Sequence, residues 1–249
     1  MTVVTAVSDG GLTPVRRVLG NGVVVLCART TATPAVTIHA SFGAGTVWDP
    51  PGAPGLSHFV SRVIDRGTAT RTAADIADAL DDRGVSLAFT VNRLALSCTC
   101  TCLVDDLDAV LAIVADVLRD PAFPEAEVEV RRAEIVTMIR QDDDNPAVLA
   151  AEGLMTLLCG DAHPFGWRPR GTVESLARLG RHDLQAFHAA RLRPGCLSVA
   201  VVGDVSPDRA VSAVESVLGE WQAEAPAPLL LEPPVQPTSR RVRVVEMMN

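Results

Sequence analysis

The spacing of apolar residues changes in blocks along this chain, and the order of the blocks limits the folds that it can adopt. Segments with the 3.6-residue apolar repeat of a helix lie between the strand-like segments and after the last of them. The strand-like segments lie at 15–30, 35–45, 85–104 and 196–205. This order predicts an α+β domain, in which helices pack on one face of a largely antiparallel sheet of about five or six strands. It does not match a doubly wound parallel sheet.

The composition is typical of a soluble globular protein, with 48% hydrophobic and 21% charged residues. The net charge is −8 and no basic block stands out, which argues against a nucleic-acid partner. The first residues, MTVVTAVSDGGL, lack the basic and apolar regions of a signal peptide. No stretch approaches the ~20 apolar residues of a membrane span. The sequence therefore predicts a cytoplasmic location and no membrane span.

Two further patterns concern the ends of elements. Asn21-Gly22 between two apolar runs predicts a type I′ hairpin turn. Residues 222–239 are rich in proline, and an apolar strand is expected to begin at residue 240. We therefore predict a domain over 1–232, followed over 233–249 by a Pro-rich linker and the start of a further strand. Such an ending suggests a fragment of a longer chain or an edge that pairs with something else.

Six cysteines are present, and without an export signal free thiols are expected. Cys98, Cys100 and Cys102 alternate with serine and threonine, so on a strand they face one side. A soft-metal site is conceivable there. Neighbouring residues of one strand are poorly placed to complete a tetrahedron, however, so core packing is the favoured interpretation.

The segment GLSHFVSRVIDRGT, 55–68, predicts an amphipathic helix, because its apolar residues recur at helical spacing up to Ile64. His58 lies within this helix. A helix that binds a metal through His58 would need a second ligand one turn later. Arg62 stands there instead, preceded by Ser61.

This helix and three further segments together resemble the insulinase/pitrilysin family of zinc peptidases, which includes the mitochondrial processing peptidase. The matching segments are FGAGTVWDPPGAPGLSHFVSRVIDRGT, RRAEIVTMIRQDDDNP, HPFGWRPRGTVESLARL and DLQAFHAARLRPGCLSVAVVGDV. Their order and spacing are similar to those of the family from about residue 14 to 232. The resemblance implies a fold like that of LuxS and the mitochondrial processing peptidase.

Active members of the family carry H-x-x-E-H, in which two histidines bind zinc and the glutamate activates water, while a glutamate on a later helix completes the ligands. In this sequence His58 keeps the first position. Ser61 stands at the general base and Arg62 at the second histidine. Met138 stands at the later glutamate, and Arg131 at an upstream supporting one. A hydroxyl is no base at neutral pH and a guanidinium does not ligate. The resemblance thus implies no metal ligand set, no cofactor site and no catalytic residue here.

Other polar residues are given structural interpretations. Glu134, one turn before Met138, could substitute as a ligand, but we expect a solvated charge. His58 itself is expected to be partly buried and hydrogen-bonded. The acidic run 142–144 lacks EF-hand spacing and is expected to be solvated. Among the remaining histidines, His39 and His163 are expected to be structural, and His182 and His188 to be surface or cap residues.

The resemblance implies the non-catalytic half of a clamshell zinc metallopeptidase that processes peptides. Its partner, in a heterodimer or in one chain, would be an active homologue or the second half of the same chain. Zinc is expected only in that partner, and the ligand of this half would be a peptide substrate. The alternative is a structural subunit similar to the family's core proteins of the respiratory cytochrome complex. An independent enzyme with another metal or nucleophile finds no supporting constellation.

Overall fold

A computed structural model describes residues 13–224, 230–235 and 239–245. The strands are β1 (Val15–Val18), β2 (Val24–Arg29), β3 (Ala35–Phe42), β4 (Ala88–Val91), β5 (Leu96–Leu103) and β6 (Leu197–Gly203). The helices are α1 (Leu56–Val63), α2 (Ala73–Asp81), α3 (Leu107–Arg119), α4 (Glu125–Asp143), α5 (Pro146–Cys159), α6 (Val173–Arg178), α7 (Arg181–Arg191) and α8 (Pro207–Leu218). These elements follow the order that the apolar spacing predicts.

The strands form one six-stranded sheet in the order β1-β2-β6-β3-β5-β4. Only the β2–β6 pair is parallel among the strand pairs of the described residues. The last strand of the described residues, β6, therefore enters the middle of the sheet, between β2 and β3. The predicted α+β class and the predicted strand number are confirmed.

The two faces of the sheet differ in polarity because side chains alternate along each strand. On β3 and β5 the buried face carries apolar side chains and the three alternating cysteines, Cys98, Cys100 and Cys102. Burial raises the pKa of all three thiols to about 11 or 12. The opposite face carries hydroxyl and imidazole groups, such as His39, which bonds to Thr99 across the strands at 2.8 Å. The interpretation of the cysteines as core residues is confirmed.

The helices bury the apolar faces that the sequence predicts. The apolar stripe that begins α1 and continues to its C-cap is buried; its residues are Leu56, Phe59, Val60, Val63 and Ile64. Helix α1 packs against α4 and α7, while α3 packs against α8. These contacts place the motif helix between two other helices, where its position is fixed by packing on several sides.

The hairpin between β1 and β2 forms, but its turn is not of type I′. That turn needs two successive residues with positive φ, and here Gly22 has φ 91° while Asn21 does not have a positive φ. The connection is longer, with Leu19 bonded to Val23 at 2.9 Å. The Asn21 amide instead donates to the carbonyls of Leu218 and Trp221. Asn21 thus ties the turn to the end of α8, a long-range contact that the local pattern does not contain.

The strand predicted from residue 240 is not formed over its described part, residues 240–245. Over these residues the segment lies beside α5 rather than at an edge of the sheet. Residues 246–249 lie outside the described residues. The proposed boundary between 1–232 and 233–249 stays a prediction. No helix in the described part of the chain is long and apolar enough to cross a membrane.

Candidate functional site

The beginning of α1 is held by a buried carboxylate. Asp49 accepts hydrogen bonds from the backbone N–H groups of Gly55 and Ser57, both at 2.8 Å. These groups lack partners inside the helix, and a carboxylate at this end also suits the helix dipole. Burial raises the pKa of Asp49 to about 6, against the opposing effect of the donated bonds.

Gly55 fixes the approach of α1 to a later loop. Its φ is 92°, in the left-handed region that favours glycine. A Cβ at this position would lie 2.5 Å from the carbonyl oxygen of Arg170. Glycine therefore allows the loop that contains Arg170 to pack directly on the start of the motif helix.

His58 is half-buried on α1, and its Nε2 atom has no hydrogen-bond partner among the described residues. The pKa of His58 is lowered to about 4, mainly by burial. The guanidinium groups of Arg170 and Arg62 also lower this pKa, and Asp142 opposes them. The imidazole is therefore neutral at pH 7. The burial of His58 is as predicted, but the hydrogen bond predicted for its ring is wrong at Nε2.

Ser61 occupies the position of the general base. Its hydroxyl donates to the His58 carbonyl oxygen at 2.7 Å, and the residue is buried. The hydroxyl thus has its hydrogen-bond partner within its own helix, as serine in a helix interior commonly does. It directs no basic group towards a water molecule.

Arg62 faces α4, where the carboxylate of Glu134 lies between the guanidinium groups of Arg62 and Arg131. Its Nη2 lies 3.3 Å from Glu134 Oε2, while Arg131 Nη1 lies 2.5 Å from Glu134 Oε1. Arg131 also reaches Glu127 at 3.5 Å. The hydrogen bond from Arg131, supported by Arg62, lowers the pKa of Glu134. Glu134 is thus ion-paired on both oxygens while its side chain stays 39% exposed, so the predicted solvated charge also links α4 to α1.

Met138 lies one turn after Glu134 on α4, half-buried and packed against the apolar core. The structure therefore brings the helices of all four motif positions together, with His58, Ser61 and Arg62 on α1 and Met138 on α4. Their chemistry does not fit zinc. A neutral imidazole is the one strong donor of the four, a guanidinium stands beside it, and a thioether replaces a carboxylate. The described residues contain no cluster of three or more histidine, cysteine, aspartate or glutamate side chains suited to a metal.

Two of the three members of the acidic run at the end of α4 form ion pairs. Asp143 and Asp144 are exposed, as predicted, whereas the prediction of a solvated side chain is wrong for Asp142. Asp142 pairs with Arg170, and Asp143 lies 2.9 Å from Arg168. Arg168 also lies 2.8 Å from Glu152 on α5. These pairs fasten the loop 161–172 over α4 and α5, next to His58. Sequence reasoning missed them because the partners are far apart in the chain, although two arginines around Pro169 complement an acidic run in sign.

The other histidines are structural or exposed. His163 accepts from the Phe165 backbone N–H at 3.1 Å, which supports its structural interpretation, and His182 is exposed as predicted. His188 is not a surface residue. Its Nε2 bonds to the Leu118 carbonyl oxygen at 2.8 Å, and burial lowers its pKa. The helix α7 turns His188 towards the core because Leu184 and Phe187 are buried on the same side.

The geometry agrees with comparisons to known proteins. The family model for insulinase, peptidase family M16, matches residues 24–158, which is more than half of the chain. The chain belongs to the M16 peptidase family. A second M16 model, described as the peptidase M16 inactive domain, matches residues 178–249. The resemblance drawn from the motifs is therefore confirmed.

M16 relatives are longer than this chain. An uncharacterized zinc protease of Mycobacterium leprae is 32% identical over 206 residues, covering 82% of this chain and 46% of its own length. One of Bacillus subtilis is 26% identical over 215 residues, covering 86% and 52%. The chain thus spans about half the length of the curated relatives that it matches.

Solved structures support the same M16 fold. A peptidase M16 inactive domain from Pseudomonas fluorescens superposes with a TM-score of 0.83 at 24% identity, covering 90% of this chain and 54% of that one. A protease from Helicobacter pylori gives a TM-score of 0.79 at 17% identity, covering 89% and 53%. At these identities the similarity establishes the fold alone.

Proposed function

We propose that this chain is a catalytically inactive M16 domain that works with a second, zinc-binding M16 module and helps to hold its peptide substrate. The observation that carries the proposal is the Arg62–Glu134–Arg131 cluster between α1 and α4. It places Arg62 at the position of the second histidine ligand and Arg131 at the position of the supporting glutamate, with an ion-paired carboxylate between the two cations.

The surroundings of His58 support the loss of zinc chemistry. Zinc sites with catalytic function commonly use three protein ligands, and here one of the three family positions keeps a ligating side chain. The positive charges of Arg62 and Arg170 oppose the approach of a second cation to His58. A zinc-bound water would also find no base at Ser61, whose hydroxyl is bonded to the backbone.

The relation to longer relatives supports the need for a partner. Relatives named as zinc proteases contain about twice as much chain, and this chain matches an inactive-domain model over part of its length. In this proposal zinc belongs to the partner module, and the present domain contributes to the enclosure of the peptide. The edge strand β4 lies next to α1 and offers one unpaired edge for an extended peptide backbone.

The test is cleavage of a fluorogenic peptide by the purified chain, by an H-x-x-E-H M16 homologue from the same organism, and by their mixture. We expect cleavage that increases in the mixture, is blocked by a chelator, and disappears when the homologue's H-x-x-E-H glutamate is changed to glutamine. His58→Ala in this chain should leave the activity of the mixture unchanged.

Two results would contradict the proposal. Chelator-sensitive cleavage by this chain alone, abolished by His58→Ala, would make it an active peptidase. A stable complex with the homologue that never changes its activity would favour the structural-subunit alternative instead.

A further inference from the structure

Helix α5 turns its polar side towards the protein and its apolar side towards solvent. Its two polar side chains point towards the body of the protein, where Glu152 pairs with Arg168 at 2.8 Å and Thr156 donates to the Gly166 carbonyl oxygen at 2.9 Å. The exposed residues of α5 are all proline, alanine or leucine. In a surface helix that packs only against its own domain, the apolar side faces the core and the polar side faces water.

The outward residues form a continuous stripe. Ala147, Ala151, Leu154 and Leu158 follow one another at spacings of four, three and four residues, so they lie on one side of the helix. Leu154 and Leu158 are 55% and 45% exposed, and no residue of α5 is fully buried. Contiguous apolar surface of this kind marks a protein interaction site more often than an isolated exposed leucine does.

The segment 239–245 extends the apolar surface of α5. It lies along α5, with Arg243 next to Gly153, and the two border a groove of about 330 Å³. Val242 and Val244 remain exposed beside the groove. Arg240, Arg241 and Arg243 lie next to these valines in the chain, and none of the three forms an ion pair with a described carboxylate. The combined surface is apolar at its centre and basic at its margin.

The geometry points to α5 and residues 239–245 as the docking surface for the second M16 module, one that presents an apolar patch bordered by carboxylates. Two observations favour this occupant over another copy of the chain. The longer M16 relatives contain about as much chain again as the part that matches. The segment that leads away from the domain already lies on α5, so a module connected or paired at that point meets this surface first. The inference rests on the proposed function, because it takes the partner from it.

The inference is tested by site-specific photo-crosslinking of the full chain in its own cells. The crosslinking residue replaces Leu154 in one variant and Leu103, which is also 55% exposed, in the other. We expect a crosslink from position 154 to an M16 module, identified by mass spectrometry, and none from position 103. A crosslink from 154 to a copy of the same region, to a protein of another family, or to nothing would overturn the inference, as would equal crosslinking from both positions.

A paired set of variants measures the contribution of the stripe. Leu154→Gln with Leu158→Gln should weaken binding of the purified chain to the crosslinked module at least about tenfold. Leu103→Gln with Val130→Gln removes similarly exposed side chains elsewhere and should change binding less than twofold, with both proteins unfolding at the wild-type temperature. Equal effects of the two pairs would overturn the inference. Zinc binding by the chain alone would instead contradict the proposed function, so the two failures are distinguishable.

Discussion

At the scale of single residues, His58 keeps its place while its surroundings have changed. A histidine that binds zinc lies beside other ligands, which share the charge of the metal. Here Nε2 has no partner among the described residues, and two guanidinium groups contribute to its lowered pKa. The position that suits a metal ligand in the family therefore holds a neutral, desolvated imidazole in this protein.

The protonation of His58 should make stability depend on pH. The folded protein takes up this proton only near pH 4, whereas an unfolded histidine takes it up near pH 6.5. The unfolded state thus binds more protons between these values, so stability is full above pH 6.5 and falls as the pH is lowered to 4. Between pH 7 and pH 4, the wild-type protein should lose about 2 to 3 kcal/mol more unfolding free energy than the His58→Gln variant. Urea unfolding at a series of pH values measures the difference.

His182→Gln, the same substitution at an exposed position, is the matched control variant. Asp49 acts in the opposite direction. Its pKa is raised to about 6, so the folded state binds more protons between pH 4 and pH 6 and the contribution of Asp49 declines as the pH rises. The difference between wild type and variant removes this background. Identical profiles of wild type and His58→Gln would contradict the assigned burial of the ring.

At the scale of elements, the apolar periodicities predict strands and helices well because each pattern is local. One face of the alternating run 96–103, which contains the three cysteines, and the helical stripe from Leu56 to Ile64 are both buried as expected. Features that depend on distant partners are predicted poorly. The Asn21 turn bonds to the end of α8, the acidic run pairs with arginines of a later loop, and His188 bonds to α3.

The motif positions themselves are predicted from the resemblance, and the structure brings their helices together. Their new partners could not be predicted in the same way. Arg62 and Glu134 are 72 residues apart and meet only because α1 packs on α4. The sequence therefore predicts which zinc-site residues are missing, whereas the fold reveals the ion pairs that replace them.

Helix α1 should matter to this protein mainly through packing. Phe59 is fully buried on α1, and Arg132 of α4 lies over its ring at 5.3 Å. Phe59→Ala should lower the unfolding free energy by about 3 to 5 kcal/mol, because it leaves a cavity in a close-packed core. Leu94→Ala, at an exposed position, should change it by less than about 0.5 kcal/mol. Chemical denaturation that finds the two variants equally stable would contradict this role of α1.

Helices α1 and α4 should still be able to bind zinc when the family's base and ligand residues are restored. A variant with Ser61→Glu, Arg62→His and Met138→Glu restores the family pattern around His58. We expect this variant to bind about one zinc ion per chain, as three ligands on two packed helices can do. Adding His58→Ala to the triple variant should abolish binding. A folded triple variant that fails to bind zinc would show that α1 and α4 no longer hold the required geometry.

At the scale of the whole molecule, two regions of this domain bear on the proposed function. Its motif region is closed by ion pairs between α1, α4 and the loop 161–172. Its α5 surface is apolar towards solvent, which a single domain in water does not require. The proposed division of labour between two M16 modules accounts for both features, because in this proposal the present module supplies contacts and the other supplies chemistry.

The zinc content of the purified wild-type chain tests this account most directly. After exposure to excess zinc and removal of unbound metal, elemental analysis compares the protein with its His58→Ala variant. The account predicts no stoichiometric zinc in either, because Arg62 and Met138 stand where ligands are needed. About one zinc ion per wild-type chain, lost in the His58→Ala variant, would contradict it.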